Sequence, residues 1–482
     1  MRSSPLFVGI DVGTEGVRVI ATKPDGEIAG SVSVANEQEK VELPEGWSEQ
    51  DARLWWEATK EALRGLCDLI DPSCIVAVSV ASTSGTFVPV DSSGEPLRNA
   101  MMYNDMRAVE EAREVRRYAT DLEAKLGYQI QPSFALPKML WLRRHEKDLF
   151  ERTAKLLHAA DFIVAKLTGV VGVSDFSNAL KSCFDVVDMC FPDWIEDKLG
   201  IPLDKLPKVL VPGEQIGYVS ETASSETGLP RNAVVVAGAT DGTAAFICSG
   251  ASAVGEWNSN LGSTLVLRGL CERLLKDDMG RIYYHRHPDG LWMAGAASNT
   301  GGECLRVRFQ RRELALMDEM AYKRIPTGVL VYPLVRRGER FPFVNENANG
   351  FMVGEPKDEF ELYAAHIEGV AFVERWCFEV FESIGHRVGE SVFVTGGGSK
   401  SGLWNKVRAS VLRKVLIRPR VAETAFGAAI IAASKTYFSS LSEASKAMVK
   451  RGEAFEPDDS LARAYEEAYW RFRVECSERG YG

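Results

Sequence analysis

The feature that most constrains this chain is a short apolar strand that ends on an acid and turns at once. Leu6-Phe7-Val8-Gly9-Ile10 leads into Asp11, then Gly13-Thr14, and Val17-Arg18-Val19-Ile20-Ala21 reads as a returning strand. A chain that opens this way builds a sheet and places polar chemistry at the strand tips. A Gly-Thr turn can bring backbone N–H groups and one hydroxyl to a phosphate without a side-chain clash. An aspartate beside it can reach a hydrated Mg²⁺ that bridges phosphates. The plan recurs later. Ala233-Val234-Val235-Val236-Ala237-Gly238 reads as a strand, and Asp241 follows in the Gly-bounded turn Gly238-Ala239-Thr240-Asp241-Gly242. Two strand-tip carboxylates with small neighbours suit phosphoryl transfer, one holding a metal and the other taking a proton.

Composition narrows the setting. The chain has 482 residues and a net charge of −10, which argues against non-specific nucleic-acid binding. Nine cysteines without a Cys-x-x-Cys pair read as reduced thiols. No signal-peptide pattern and no run of about 18 apolar residues occurs, so the expectation is a cytoplasmic protein that binds neither membrane nor nucleic acid.

Along the chain, residues 6–34 predict a three-strand meander with a turn at Pro24-Asp25-Gly26. Leu54, Trp55, Ala58, Ala62, Leu66 and Leu69 recur at helical spacing and predict a helix over 52–70. Residues 75–80 read as a buried strand ending in the hydroxyl-rich turn Ser82-Thr83-Ser84-Gly85-Thr86, with a further strand at 87–90. Residues 106–170 read as mainly helical, and 250–255 as a boundary. The second half restarts the meander: Trp257-Asn258-Ser259-Asn260 runs into Leu261-Gly262-Ser263-Thr264, and Leu265-Val266-Leu267 returns. Residues 292–296 and 392–395 read as strands, the latter entering Gly396-Gly397-Gly398-Ser399-Lys400-Ser401. Helices are expected over 361–383, 403–411, 424–433 and about 460–478. The alanine-rich 424–433 stretch suits a helix lying closely on something flat.

Each motif alone has an ordinary reading as a turn. Their order is more informative, because each follows an apolar strand, and ligands in α/β sheets sit at strand ends. Other features keep plain readings. His285-Arg286-His287 lacks a third ligand nearby and reads as a solvated face. Trp55-Trp56 reads as half core and half rim, and Arg336-Arg337-Gly338-Glu339-Arg340 as a charged loop. No Gly-x-x-x-x-Gly-Lys-Ser/Thr loop exists, and no Gly-x-Gly-x-x-Gly opens a helix after the first strand, which removes P-loop and Rossmann architectures.

Taken together over residues 6–435, these motifs resemble the FGGY family of carbohydrate kinases. Gly9–Thr14 is similar to that family's first phosphate motif. Trp47-Ser48-Glu49-Gln50-Asp51 with Trp55-Trp56 is similar to its W-x-E-Q-D/N-P … W-W stretch, with Ala52 in place of proline. Tyr103-Asn104-Asp105-Met106-Arg107 resembles W-x-D-x-R, Thr240-Asp241-Gly242 the catalytic-aspartate motif, and Leu261–Thr264 the second phosphate motif. Gly396–Trp404 resembles the adenosine motif, and Glu423 with Thr424–Ala429 the closing E-x-x-A-x-G-A-A helix. Thr83-Ser84-Gly85-Thr86 stands where hexulose, glycerol and xylulose kinases carry a glutamine-containing turn. It resembles instead the smaller D-ribulose kinase group of cyanobacteria and plants, as do residues 174–181 and 332–342. The helix after Trp404 departs from the usual glutamine and Ala-Asp.

This resemblance implies an α/β fold of two actin-like, ribonuclease H-like ATPase domains facing each other across a cleft. Residues 1–252 would hold the sugar, and 253–482, with a C-terminal helix, the nucleotide. It implies ATP and Mg²⁺, with Asp241 as the base that accepts the proton of the attacking hydroxyl. Asp11 would orient Mg²⁺ through water and touch the sugar, and Ser84 would bond a sugar hydroxyl. Thr14 and Gly262-Ser263-Thr264 would cradle phosphates, and Gly397, Gly398, Ser401 and Trp404 would border the adenosine. The implied substrate is a ketopentose phosphorylated at a terminal hydroxyl, D-ribulose first and D-xylulose or another polyol second, by a monomer or homodimer. A nucleotide-gated regulatory relative or a sugar sensor is the alternative class; Asp241 argues against it, because a pure switch needs no base.

Overall fold

The Leu6–Val12 strand is buried along nearly its whole length, which places it inside a sheet rather than at an edge. The computed structural model, which describes residues 4–38, 42–310 and 312–482, shows it pairing antiparallel with Gly16–Thr22 and parallel with Ile75–Ser82. The six-stranded sheet runs Gln215–Tyr218, Val234–Thr240, Ile75–Ser82, Leu6–Val12, Gly16–Thr22, Ile28–Ala35. A three-strand meander continued by parallel strands is the ribonuclease H-like, actin-like order. The predicted strands fall where the apolar runs are. The Ala52–Leu69 helix starts at an Asp51 side chain that accepts the Arg53 N–H, and lays its Trp55, Ala62, Leu63 and Leu66 face into the core.

A second sheet repeats the plan. Trp257–Leu261 pairs antiparallel with Leu265–Cys271, which pairs antiparallel with Trp292–Ser298. On its other side Trp257–Leu261 pairs parallel with Ser391–Thr395, which pairs parallel with Val415–Pro419. The 26-residue helix Glu359–Ile384 and the tail helix Asp459–Glu478 supply aromatic packing to this unit, with Tyr465, Tyr469 and Phe472 of the tail buried.

The two compact units do not follow the expected division into 1–252 and 253–482. One comprises Met1–Cys248 with His285–Gly290 and Val421–Val449; the other comprises Ser249–Tyr284, Leu291–Arg420 and Lys450–Gly482. The physical reason is close packing of the Thr424–Ser434 helix. A Cβ at Gly9 would lie 1.9 Å from Ala425 O, and one at Gly427 would lie 2.0 Å from Ala244 O. This helix is buried from Ala425 to Ser434. The flat surface it needs is the sheet of the first unit.

Smaller expectations also change. Trp55 and Trp56 are both buried rather than half at the rim; Trp55 Nε1 donates to Gln50 and Trp56 Nε1 to Glu226. His287 is 2 % exposed, not on a solvated face, and burial lowers its pKa to about 4. Among the described residues no group of three His, Cys, Asp or Glu side chains could hold a metal, and no helix is long and apolar enough to cross a membrane. The strand Lys155–His158 lies inside the stretch expected to be mainly helical.

Candidate functional site

Three parallel strands bring the acids of the first unit to one edge. Val12 and Thr240 both stand in register with Ser82, so Asp11, Asp241 and the turn after Ser82 leave the sheet at the same end. Asp241 does not lie in a glycine turn. The Val234–Thr240 strand runs directly into the Asp241–Ile247 helix, and the Thr240 side chain accepts the Thr243 N–H as its cap. Asp241 is therefore held at a strand-to-helix junction.

Asp11 feels this neighbour. Burial raises its pKa most and the charge of Asp241 next, to about 7, while Arg18 pulls it down and Glu423 adds a smaller rise. Arg18 is itself paired with Glu423 at 3.0 Å. A cavity of about 620 Å³ opens beside Asp11, lined also by Gly13, Thr14, Arg18, Ser33 and Tyr103. The Thr14 carbonyl accepts Gln50 Nε2 at 2.9 Å, and Gln50 Oε1 accepts Trp55 Nε1 at 2.8 Å. The stretch 47–51 thus braces the Thr14 turn. It also interlocks with 103–107: Ser48 N–H donates to Asp105 at 2.7 Å, Arg107 pairs with Glu49 at 2.6 Å, and the Arg107 guanidinium lies 3.6 Å over the Trp47 ring.

Ser84 is half-buried in a turn whose Gly85 has φ +92°. Thr83 and Thr86 hydroxyls share a 2.8 Å hydrogen bond, and Thr86 Oγ1 accepts the Tyr103 N–H at 3.0 Å. The Ser84 hydroxyl is not on the wall of the Asp11 cavity, but Tyr103 is. Behind Asp241, Ser177 Oγ accepts the Thr240 N–H at 2.9 Å and donates to Asp175 at 2.5 Å. Asp175 is buried and also accepts the backbone N–H groups of Ser177 and Asn178 and the Asn178 amide. Sequence reasoning gave this segment a resemblance to the D-ribulose kinase group but no side-chain role. The available signal was an Asp-x-Ser-Asn start to a short helix.

In the second unit the Gly262-Ser263-Thr264 turn joins two strands, closed by Gly262 N–H to Thr264 O at 3.0 Å. A second loop clasps it. Gly302 N–H donates to Gly262 O at 2.8 Å, and Glu303 N–H to Ser263 O at 3.1 Å. A Cβ at Gly302 would lie 2.7 Å from Gly262 O, so no side chain fits there. Glu339 holds the clasp. It is 3 % exposed and accepts Ser298 Oγ, Asn299 N–H, Thr300 Oγ1 and Tyr332 OH at 2.7–3.0 Å. The segment expected to be a charged loop therefore carries a buried carboxylate.

A cavity of about 540 Å³ is lined by Gly262, Ser263, Gly302, Tyr363, Gly397, Gly398, Ser401 and Trp404. Of the expected nucleotide residues, Thr264 and Thr14 are off its wall, and Thr14 lines the Asp11 cavity instead. Ser401 caps the Gly402–Leu412 helix by accepting the Trp404 N–H at 3.0 Å. Trp404 is 4 % exposed, and its Nε1 is buried without a hydrogen-bond partner.

Comparison with known proteins adds the following. The N-terminal domain of the FGGY family of carbohydrate kinases matches residues 6–248, and its C-terminal domain matches residues 279–436. A xylulose kinase of Staphylococcus xylosus is 23% identical over 474 residues, covering 96% of this chain and 98% of the relative. One of Bacillus subtilis (strain 168) is 26% identical over 474 residues, covering 95% and 94%. Among solved structures, xylulose kinase from Rhodospirillum rubrum shares the fold with a TM-score of 0.86 at 24% identity, over 98% of each chain.

Proposed function

Because this chain belongs to the FGGY family of carbohydrate kinases and so moves a phosphoryl group from ATP to a sugar, we propose that its acceptor is a ketopentose, D-ribulose first, taken at a terminal hydroxyl. The observation that carries the reading is the edge shared by Asp11, Asp241 and the Ser84 turn. Asp241 accepts the proton of the attacking hydroxyl. An aspartate carboxylate is a weak base, but the transition state of phosphoryl transfer is loose, so placement counts for more than basicity.

The residues present fit a divalent cation. Asp11 and Asp241 raise the cost of a second negative charge between them, and a cation relieves that cost. Mg²⁺, when bound, would neutralise phosphate charge, with Asp11 orienting its water shell. Thr14 and, in the other unit, Gly262-Ser263-Thr264 offer N–H and hydroxyl groups to phosphate oxygens. Gly397, Gly398, Ser401 and Trp404 border the adenosine.

Ser84 supports D-ribulose. A short hydroxyl donates and accepts one hydrogen bond within a small reach, where a glutamine amide would extend further. D-Ribulose and D-xylulose differ at one hydroxyl, and a pocket that bonds one hydroxyl can reject the epimer strongly. The relatives named xylulose kinase favour D-xylulose as the second reading. A coupled ADP assay with D-ribulose, D-xylulose and glycerol decides. The proposal expects the highest kcat/KM for D-ribulose and a KM for that sugar raised by Ser84→Ala more than the KM for ATP. A higher kcat/KM for D-xylulose would replace the assignment.

A further inference from the structure

Lys138 lies on the Ala135–His145 helix among core residues Leu136, Met139 and Leu140, and is 0 % exposed. An ammonium withdrawn from water is costly unless its protons find acceptors. Two carbonyls take them: Nζ donates to Gly85 O at 2.9 Å and to Met102 O at 2.6 Å. Gly85 follows Ser84 in its turn, and Met102 precedes Tyr103, which lines the Asp11 cavity. The same two segments are tied again by the Tyr103 N–H to Thr86 Oγ1.

Core packing alone does not explain this residue. A leucine or methionine would fill the volume, leave both carbonyls without donors, and avoid burying a charge. Among the described residues no carboxylate pairs with Lys138. Asp105, the acid that acts on it electrostatically, is bound by Arg107 at 2.7 Å, and Arg107 and Lys181 both repel the ammonium. Burial lowers the Lys138 pKa to about 7, so what the side chain supplies is a pair of N–H donors that set the spacing of two carbonyls, one beside Ser84 and the other beside Tyr103.

We propose that Lys138 is a positioning residue of the sugar pocket: its buried amino group clamps the Ser84 turn to the Tyr103 segment and so sets affinity for the sugar. The inference rests on the reading of Ser84 as a sugar contact. Lys138 does not touch the sugar; it acts through Ser84.

The test compares Lys138→Met, Lys138→Arg, Ser84→Ala and the Lys138→Met/Ser84→Ala double variant of the full chain. Steady-state kinetics with D-ribulose and ATP are read beside amide hydrogen exchange. Lys138→Met should raise the sugar KM about tenfold or more, as loss of buried hydrogen bonds does, with the KM for ATP unchanged within about twofold. Lys138→Arg, which keeps N–H donors, should recover part of the loss. The double variant should be no worse than its weaker parent, because both changes act on one contact. Exchange should quicken over 83–87 and 101–104 but not over 6–12. An unchanged sugar KM in folded Lys138→Met, additive effects, or sugar and ATP KM rising together with exchange across the whole unit would each overturn the proposal. Should Lys138→Met fail to fold, Lys138→Gln carries the same comparison. If the wild type releases no ADP with any sugar, the sugar assignment fails by itself, and unchanged exchange over 83–87 then overturns the clamp.

Discussion

Asp11 holds its proton far more tightly in the folded chain than an ordinary aspartic acid, with a pKa moved from 3.8 to about 7 by burial and by Asp241. The folded state therefore binds more protons than the unfolded state between those values, and stability falls as pH rises through that window. Replacing Asp11 by asparagine should remove this contribution. In chelator and without nucleotide, thermal unfolding should show Asp11→Asn gaining on the wild type between pH 4 and pH 7, with the gain levelling off above. Equal pH slopes for the two proteins would contradict the assigned electrostatics. The places of Asp11, Asp241 and the Ser84 turn at one sheet edge were legible in the sequence because each follows a short apolar run, and the end of a buried strand is a fixed place. Glu339 was not. Its neighbours Arg336, Arg337 and Arg340 give the composition of a solvated loop, while the groups that bury it, Ser298, Asn299 and Thr300, lie far back in the chain. Nor did the burial of Trp404 Nε1 without a partner have any signature in the sequence.

Elements were read where burial imposed a period. The strands Leu6–Val12 and Gly16–Thr22 and the Ala52–Leu69 helix stand close to their expected bounds. Glu49–Gln50 and Ala100–Met101 escaped because a two-residue strand has no period to read. The turn expected at Asp241 failed for a different reason: Gly242 looked like a turn residue, but the Thr240 cap starts a helix there. The clasp on the Gly262 turn yields a prediction at this scale. A methyl group at Gly302 meets Gly262 O at 2.7 Å, so the turn must move. Gly302→Ala should raise the KM for ATP about tenfold and leave the KM for sugar nearly unchanged, as displacement of hydrogen-bonding groups by a few tenths of an ångström would do. A KM for ATP like the wild type's would show that the Gly262 turn does not hold phosphate.

At the scale of the whole molecule, the linear division into halves missed the return of Val421–Val449 to the first unit. Sequence could show that the Thr424–Ser434 helix needed a flat partner, but not which sheet offered it. Gly9 and Gly427 carry that information only as absent side chains. A fragment ending at residue 252 should accordingly be unstable by circular dichroism and thermal unfolding, because the Phe7 and Ile20 face of its sheet loses its cover. Fusing residues 421–449 to that fragment should restore a cooperative transition; a stable bare fragment would contradict the packing argument. The central claim is that this family member turns over a sugar with Asp241 as its base. Sugar-dependent ADP release by wild type and Asp241→Asn, measured beside binding of a non-hydrolysable ATP analogue, tests it most directly. The account predicts turnover on a ketopentose, a loss of about 10²–10⁴ in kcat for Asp241→Asn, and analogue binding that is nearly unchanged. An Asp241→Asn enzyme with kcat near that of the wild type would contradict it.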